Sequence, residues 1–178
     1  QETVRRCKER YPDMPAEAIV MNATHTHSAP NKSWLITAVD EMVQAGLEAL
    51  ADRVSATMEL GAYEVPNMNW DRHYIMNDGF MAGDNYGVNK VGYKEYASDA
   101  DHTMRLIRFC REGKKDVLMV NWQVHPKLTS TNDTPEGRAT RMQFSADFIG
   151  YARDYVEASE DLLFAYFSGA SGNVNPFS

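Results

Sequence analysis

Two apolar runs of strand character in this chain each stop at a histidine. Asp116-Val117-Leu118-Met119-Val120-Asn121-Trp122-Gln123-Val124 ends in His125-Pro126, and proline, which cannot donate to a ladder, closes the strand there. Ala18-Ile19-Val20-Met21 leads through Asn22-Ala23-Thr24 into His25-Thr26-His27-Ser28-Ala29-Pro30. Successive strand residues point to opposite faces, so an extended His25-Thr26-His27 sends both imidazoles to one side, where two rings can share a cation. A His-x-His also occurs by chance in loops; the third histidine in the same kind of place is what favours a metal. The pattern asks for a sheet whose strands deliver His25, His27 and His125 to one rim.

The rest of the chain alternates helical and strand patterns. Glu2 to Tyr11 reads as a helix stopped by Pro12 and Pro15, and Ala18 to Thr24 as a strand. Lys32 to Asp52 reads as a helix whose Leu35, Val39, Met42, Val43, Ala45, Leu47 and Leu50 form a stripe expected to pack on the sheet. Val54 to Val65 is strand-like. From Pro66 to Asp101 the pattern gives way to Asn, Asp, Gly and Tyr, an irregular connection of a length that usually carries function. His102 to Cys110 and the run ending at His125, joined by Glu112-Gly113-Lys114-Lys115, read as a hairpin; Lys127 to Arg141 is a polar loop; Ser145 to Glu157 is a helix, and Leu162 to Phe167 a buried strand. That strand delivers Ser168-Gly169-Ala170-Ser171-Gly172-Asn173-Val174-Asn175-Pro176, small residues whose backbone N–H groups can approach a ligand or a developing oxyanion. The expected fold is α/β, a central mixed β-sheet flanked by helices, with the metal site at the C-terminal ends of its strands.

At 178 residues and 43% apolar content the chain can bury one sizeable core, and residues 1–178 are expected to form a single α/β catalytic-domain segment, part of a longer chain. A net charge of -7 and a pI near 5.2 argue against a nucleic-acid partner, which would want a basic face. Cys7 and Cys110 fit either one disulfide in a secreted protein or two buried thiols. No run of about 18 apolar residues is present to span a membrane, and no signal peptide is visible in this segment.

Ala23-Thr24-His25-Thr26-His27-Ser28-Ala29-Pro30, the strand ending in His125-Pro126, Ser145-Ala146-Asp147-Phe148 and Gly172-Asn173-Val174-Asn175-Pro176 follow in an order and spacing that resembles the neutral/alkaline non-lysosomal ceramidase family, over nearly the whole chain. The resemblance implies a secreted, periplasmic or cell-surface zinc amidase that cuts the N-acyl bond of ceramide to fatty acid and sphingoid base. It puts zinc (Zn2+) on His25 and His125. His27 then faces the substrate as a proton shuttle, and Arg72, in Asn69-Trp70-Asp71-Arg72-His73-Tyr74, stabilises negative charge. The family completes its metal shell with a glutamate and a tyrosine farther along, beyond residue 178, so this segment alone is expected to bind zinc weakly and to be inactive. The implied chemistry is Lewis-acid catalysis, in which zinc brings the pKa of water from about 15.7 to roughly 7.

The sequence departs from the resemblance at one functional position. Where the best-known ceramidases have Gly-Asp-Val-Ser-Pro, this chain has Gly172-Asn173-Val174-Asn175-Pro176. Asn175 cannot be a nucleophile, so it either orients the water or substrate, or the substrate differs. His73 and His102 read as loop or surface histidines, Asp147 as a helix cap or a residue reaching the site, and Trp70 as packing or the lining of an acyl-chain entry. The expected partner is a ceramide-like lipid substrate, with a membrane surface as a further candidate. The alternatives are another metal-dependent hydrolase, such as a barrel amidohydrolase, and a non-catalytic lipid- or glycan-binding relative.

Overall fold

Four strands hydrogen-bond in the order β1 (Ala56–Glu64), β6 (Thr103–Arg111), β7 (Val117–Trp122), β8 (Leu163–Ser168). β1/β6 and β6/β7 are antiparallel and β7/β8 parallel, so the sheet is mixed as expected. This is a computed structural model that describes residues 2–13, 19–29, 34–83, 92–129 and 144–176. The β6–β7 hairpin turns at Gly113, whose φ of 69° suits glycine. The parallel step from β7 to β8 requires a crossover, and the helix α3 (Phe148–Glu160) supplies it.

α3 covers one face of β7 and β8. Phe148 stands edge-on to Trp122 and to Tyr166, at 6.3 and 5.8 Å between ring centroids, and Val120, Ile149 and Leu162 are buried. The opposite face is approached by α2 (Trp34–Ala51), but more loosely than its apolar stripe suggests. Val43, buried to 1% exposure, packs with Cys7 of α1 (Glu2–Arg10), and Val39, Leu47, Leu50 and Ile19 close around that pair. An open cleft of about 1160 Å³ separates the end of α2 from Phe109, Val117 and Leu163. The stripe is therefore spent chiefly on α1, a correction to the expectation that it packs on the sheet; periodicity shows that a face is covered, not by what. Leu35's side chain lies outside the described residues. Asp52, just past α2, ties the helix to the hairpin through Arg111 at 2.6 Å and through Lys114.

Two other expectations change. Residues 19–26 join no ladder. They run beside the free edge of β8, joined to it by Asn22 Nδ2 donating to the Tyr166 carbonyl and Ser168 Oγ to the Thr24 carbonyl, so an apolar run read as a strand lies along a sheet edge without pairing. The stretch from Pro66 to Asp101 is more regular than expected. It holds β2 (Asn69–Asp71), β3 (His73–Met76), β4 (Met81–Gly83) and β5 (Tyr93–Tyr96), with β3 central in a three-stranded sheet and β2 paired to β9 (Val174–Pro176). Trp70, Tyr74, Tyr93 and Tyr96 pack there with ring centroids 5.2–6.0 Å apart. Most of the polar loop from Lys127 to Arg141, from Ser130 on, lies outside the described residues. Both cysteines are free thiols, Cys7 buried and Cys110 half-buried.

Candidate metal centre

β7 and β8 part after Trp122 and Ser168. Gly169 makes the separation possible: its N–H still reaches the Trp122 carbonyl at 2.8 Å, and a Cβ there would sit 3.2 Å from the backbone of Gln123 and Trp122. Past this point β7 changes partner, and the His125 N–H donates to the Val174 carbonyl of β9 at 2.9 Å. β9 in turn pairs with β2, and the Arg72 N–H reaches the Asn173 carbonyl at 2.8 Å. Asn69 anchors that ribbon to the main sheet. Its amide donates to the Asp101 and Gln123 carbonyls at 2.9 and 2.8 Å, and its oxygen meets His102 Nδ1.

His25, His27 and His125 converge beyond the C-terminal ends of β7 and β8, with one ligand atom from each within 4.8 Å of the others. Their ring centroids stand 4.7–5.5 Å apart. The rings meet for a reason other than strand alternation: His25 has φ 63°, a left-handed conformation that non-glycine residues adopt at a cost, and it turns the chain at the motif. A cavity of about 260 Å³ opens between His25, His125, Asn22 and the turn at Ser168–Gly172.

The buried His125 (4% exposed) places Nδ1 3.1 Å from the Ser171 carbonyl oxygen. A carbonyl only accepts, so the neutral ring carries its proton on Nδ1 and turns the Nε2 lone pair into the cluster, the arrangement metal-binding imidazoles need. His27 Nε2 lies 2.7 Å from His125 Nε2 and therefore donates to it. Two nitrogens sharing a tetrahedral ion stand about 3.3 Å apart, so this spacing is that of a hydrogen bond rather than of two co-ligands. Although much of the His27 ring is exposed, burial of its inner side lowers its pKa, and the proximity of His125, Lys127, His25 and Arg72 lowers it further. The donor set suits a divalent ion: imidazoles converge, and one has its second nitrogen already fixed.

The other candidate residues fall into place around this cluster. Arg72 follows β2 and acts electrostatically on His27. Asn175 is buried in β9 opposite Trp70, and it is not among the residues lining the cavity. His73 lies in β3, 3.6 Å from Asp71, and His102 bonds to Asn69, so both stand outside the cluster. Asp147 caps α3 and accepts from Thr129. The turn that reads as an N–H cradle contributes a carbonyl instead, at Ser171. Ser171 lies inside the turn singled out in the sequence, but as a source of N–H groups and not of a carbonyl; Lys127 and Thr129 went unread as individual residues, although both lie within four residues of His125, a signal of place but not of role.

No family model matches the chain, and no curated protein does. Among solved structures, the chain is similar to neutral ceramidase from Pseudomonas aeruginosa, with a TM-score of 0.72 at 20% identity over 99% of this chain and 29% of that one. A ceramidase complexed with C2 matches with a TM-score of 0.71, also at 20% identity, over 98% of this chain and 28% of that one. The chain thus has the fold of part of these ceramidases and spans under a third of their length. The mixed α/β architecture and the neutral ceramidase resemblance are borne out at the level of fold.

Proposed function

We propose that the protein is a zinc-dependent amidohydrolase that cleaves the N-acyl bond of ceramide or a related N-acyl lipid, giving fatty acid and sphingoid base, and that it acts outside the cytoplasm. The observation that carries this reading is the His125 ring, pinned at Nδ1 by Ser171 with its Nε2 turned toward His25 and His27, on a fold shared with neutral ceramidases.

In this reading His25 and His125 would hold the ion, which would supply Lewis acidity to the amide carbonyl and a lowered pKa for water. His27, whose lowered pKa favours the neutral ring, would be the group that moves a proton to the leaving amine. Arg72, whose cationic field already reaches His27, offsets the negative charge that develops on the carbonyl oxygen. Asn175 has no nucleophile to offer and serves as an orienting amide. No helix among the described residues is long and apolar enough to cross a membrane.

The test is fatty-acid release from ceramide by the protein expressed from its complete gene, with and without a zinc chelator. Chelator-sensitive release supports the reading. A folded, zinc-loaded protein that releases nothing from ceramide or other N-acyl lipids would overturn it.

A further inference from the structure

The loops that carry the histidines are joined by side chains far apart in sequence. Asp147 is 1% exposed and sits at φ 59°, ψ -155°, a backbone conformation that a residue with a Cβ adopts only at a cost. Capping α3 uses only Oδ1, which accepts the Phe148 N–H at 2.8 Å. Oδ2 does something else: it accepts both the N–H and the hydroxyl of Thr129, each at 2.8 Å. Because the Thr129 proton is given to a group that accepts, Thr129 Oγ1 must itself accept from Ser28 Oγ, 3.1 Å away. The direction of the chain is thereby set, from Ser28 through Thr129 to Asp147.

Ser28 follows His27 directly, and Thr129 lies four residues after His125. Ser145, two residues before Asp147, grips the same His25–Ser28 loop: its carbonyl accepts from Thr26 Oγ1 at 2.8 Å and its N–H donates to the Ser28 carbonyl at 3.1 Å. By contrast, the main-chain link between the two loops, His27 N–H to the Pro126 carbonyl, is long at 3.3 Å. We propose that the Ser28–Thr129–Asp147 chain is the positioning device of the histidine cluster, fixing the loop of His25 and His27 against the loop of His125. For its consequence on metal binding, this rests on the reading of the cluster as a zinc site.

The test replaces the middle link in the complete protein. Thr129→Val keeps shape and the backbone bond to Asp147 but removes both hydroxyl bonds, whereas Thr129→Ser restores them. Two quantities are read: the through-space NMR contact between the His27 and His125 rings in metal-free protein, and zinc affinity by chelator competition. Outer-shell partners of metal-binding histidines typically contribute ten- to a hundred-fold in affinity, and a link one bond further out is expected to give about tenfold. Thr129→Val should lose the ring contact and bind zinc about tenfold more weakly, with Thr129→Ser recovering both. Should Thr129→Val fail to fold, Ser28→Ala removes only the last link and is read the same way. A folded valine or alanine variant with the wild-type ring contact overturns the proposal, as does a serine variant that recovers neither quantity. If the wild-type protein takes up no zinc, the metal reading fails separately, and the ring contact alone decides the positioning claim.

Discussion

Replacing Asn69 with alanine should strongly destabilise the protein. Asn69 is 2% exposed, and its side chain makes three bonds to two separate segments: to the carbonyl of Asp101 and the ring of His102 ahead of β6, and to the carbonyl of Gln123 after β7. Each such bond contributes about 1 kcal/mol net, and stranding a buried carbonyl adds to the loss. Three bonds therefore amount to about 3 kcal/mol, a large share of the 5–15 kcal/mol that holds a typical domain together. With a urea slope of about 2 kcal/mol per molar, the unfolding midpoint should fall by about 1.5 M. Asn69→Asp should do no better than alanine, since it turns a carboxylate oxygen toward two carbonyl oxygens. The assay is urea denaturation followed by tryptophan fluorescence. A midpoint shift below about 0.3 M in Asn69→Ala would refute the claim that this side chain fastens the β2–β9 ribbon, and with it Arg72, to the main sheet.

Gly169→Ala should cost about 1–3 kcal/mol, because its Cβ meets rigid backbone of Gln123 and Trp122 at 3.2 Å; an unchanged melting temperature would contradict this. Asp101 has its pKa lowered to about 2, first by the Thr103 N–H and then by Arg105. A carboxyl with a depressed folded pKa stabilises above its unfolded pKa of about 3.9 and loses that contribution as pH falls through about 2. Asp101→Asn should accordingly be less stable than wild type at neutral pH, with the gap closing between about pH 4 and pH 2; a constant gap across that window would count against the assignment. Both cysteines should react as thiols in denaturant without reductant, whereas in the folded protein Cys110, its pKa raised by burial, should react slowly; finding no free thiol would contradict the structure.

Much of the framework is legible in the amino-acid order because its elements are long and periodic. The helices α1, α2 and α3, the strand β1, the β6–β7 hairpin and β8 lie within a few residues of where apolar spacing puts them. β2 to β5 are three or four residues each, too short for alternation to show, and they are held by side chains such as Asn69 and Asp71 whose partners lie far along the chain. The segment before His25 is misread because an apolar run that lies along a sheet edge has the same composition as one that pairs with it. The candidate site is half legible. Proline after His125 and the His25-Thr26-His27 spacing announce the histidines, while what orients them does not announce itself. Ser171 acts through a carbonyl that any residue could offer, and Thr129 and Asp147 are 18 residues apart. Nothing in their local sequence marks a bond between them.

The most direct test of the account is zinc bound per protein, measured by elemental analysis and chelator competition on the protein from its complete gene and on its His25→Ala and His125→Ala variants. The account predicts about one zinc per chain in the wild type and its loss from each folded variant. A folded wild-type protein without affinity for zinc, or variants that retain full zinc content, would contradict it.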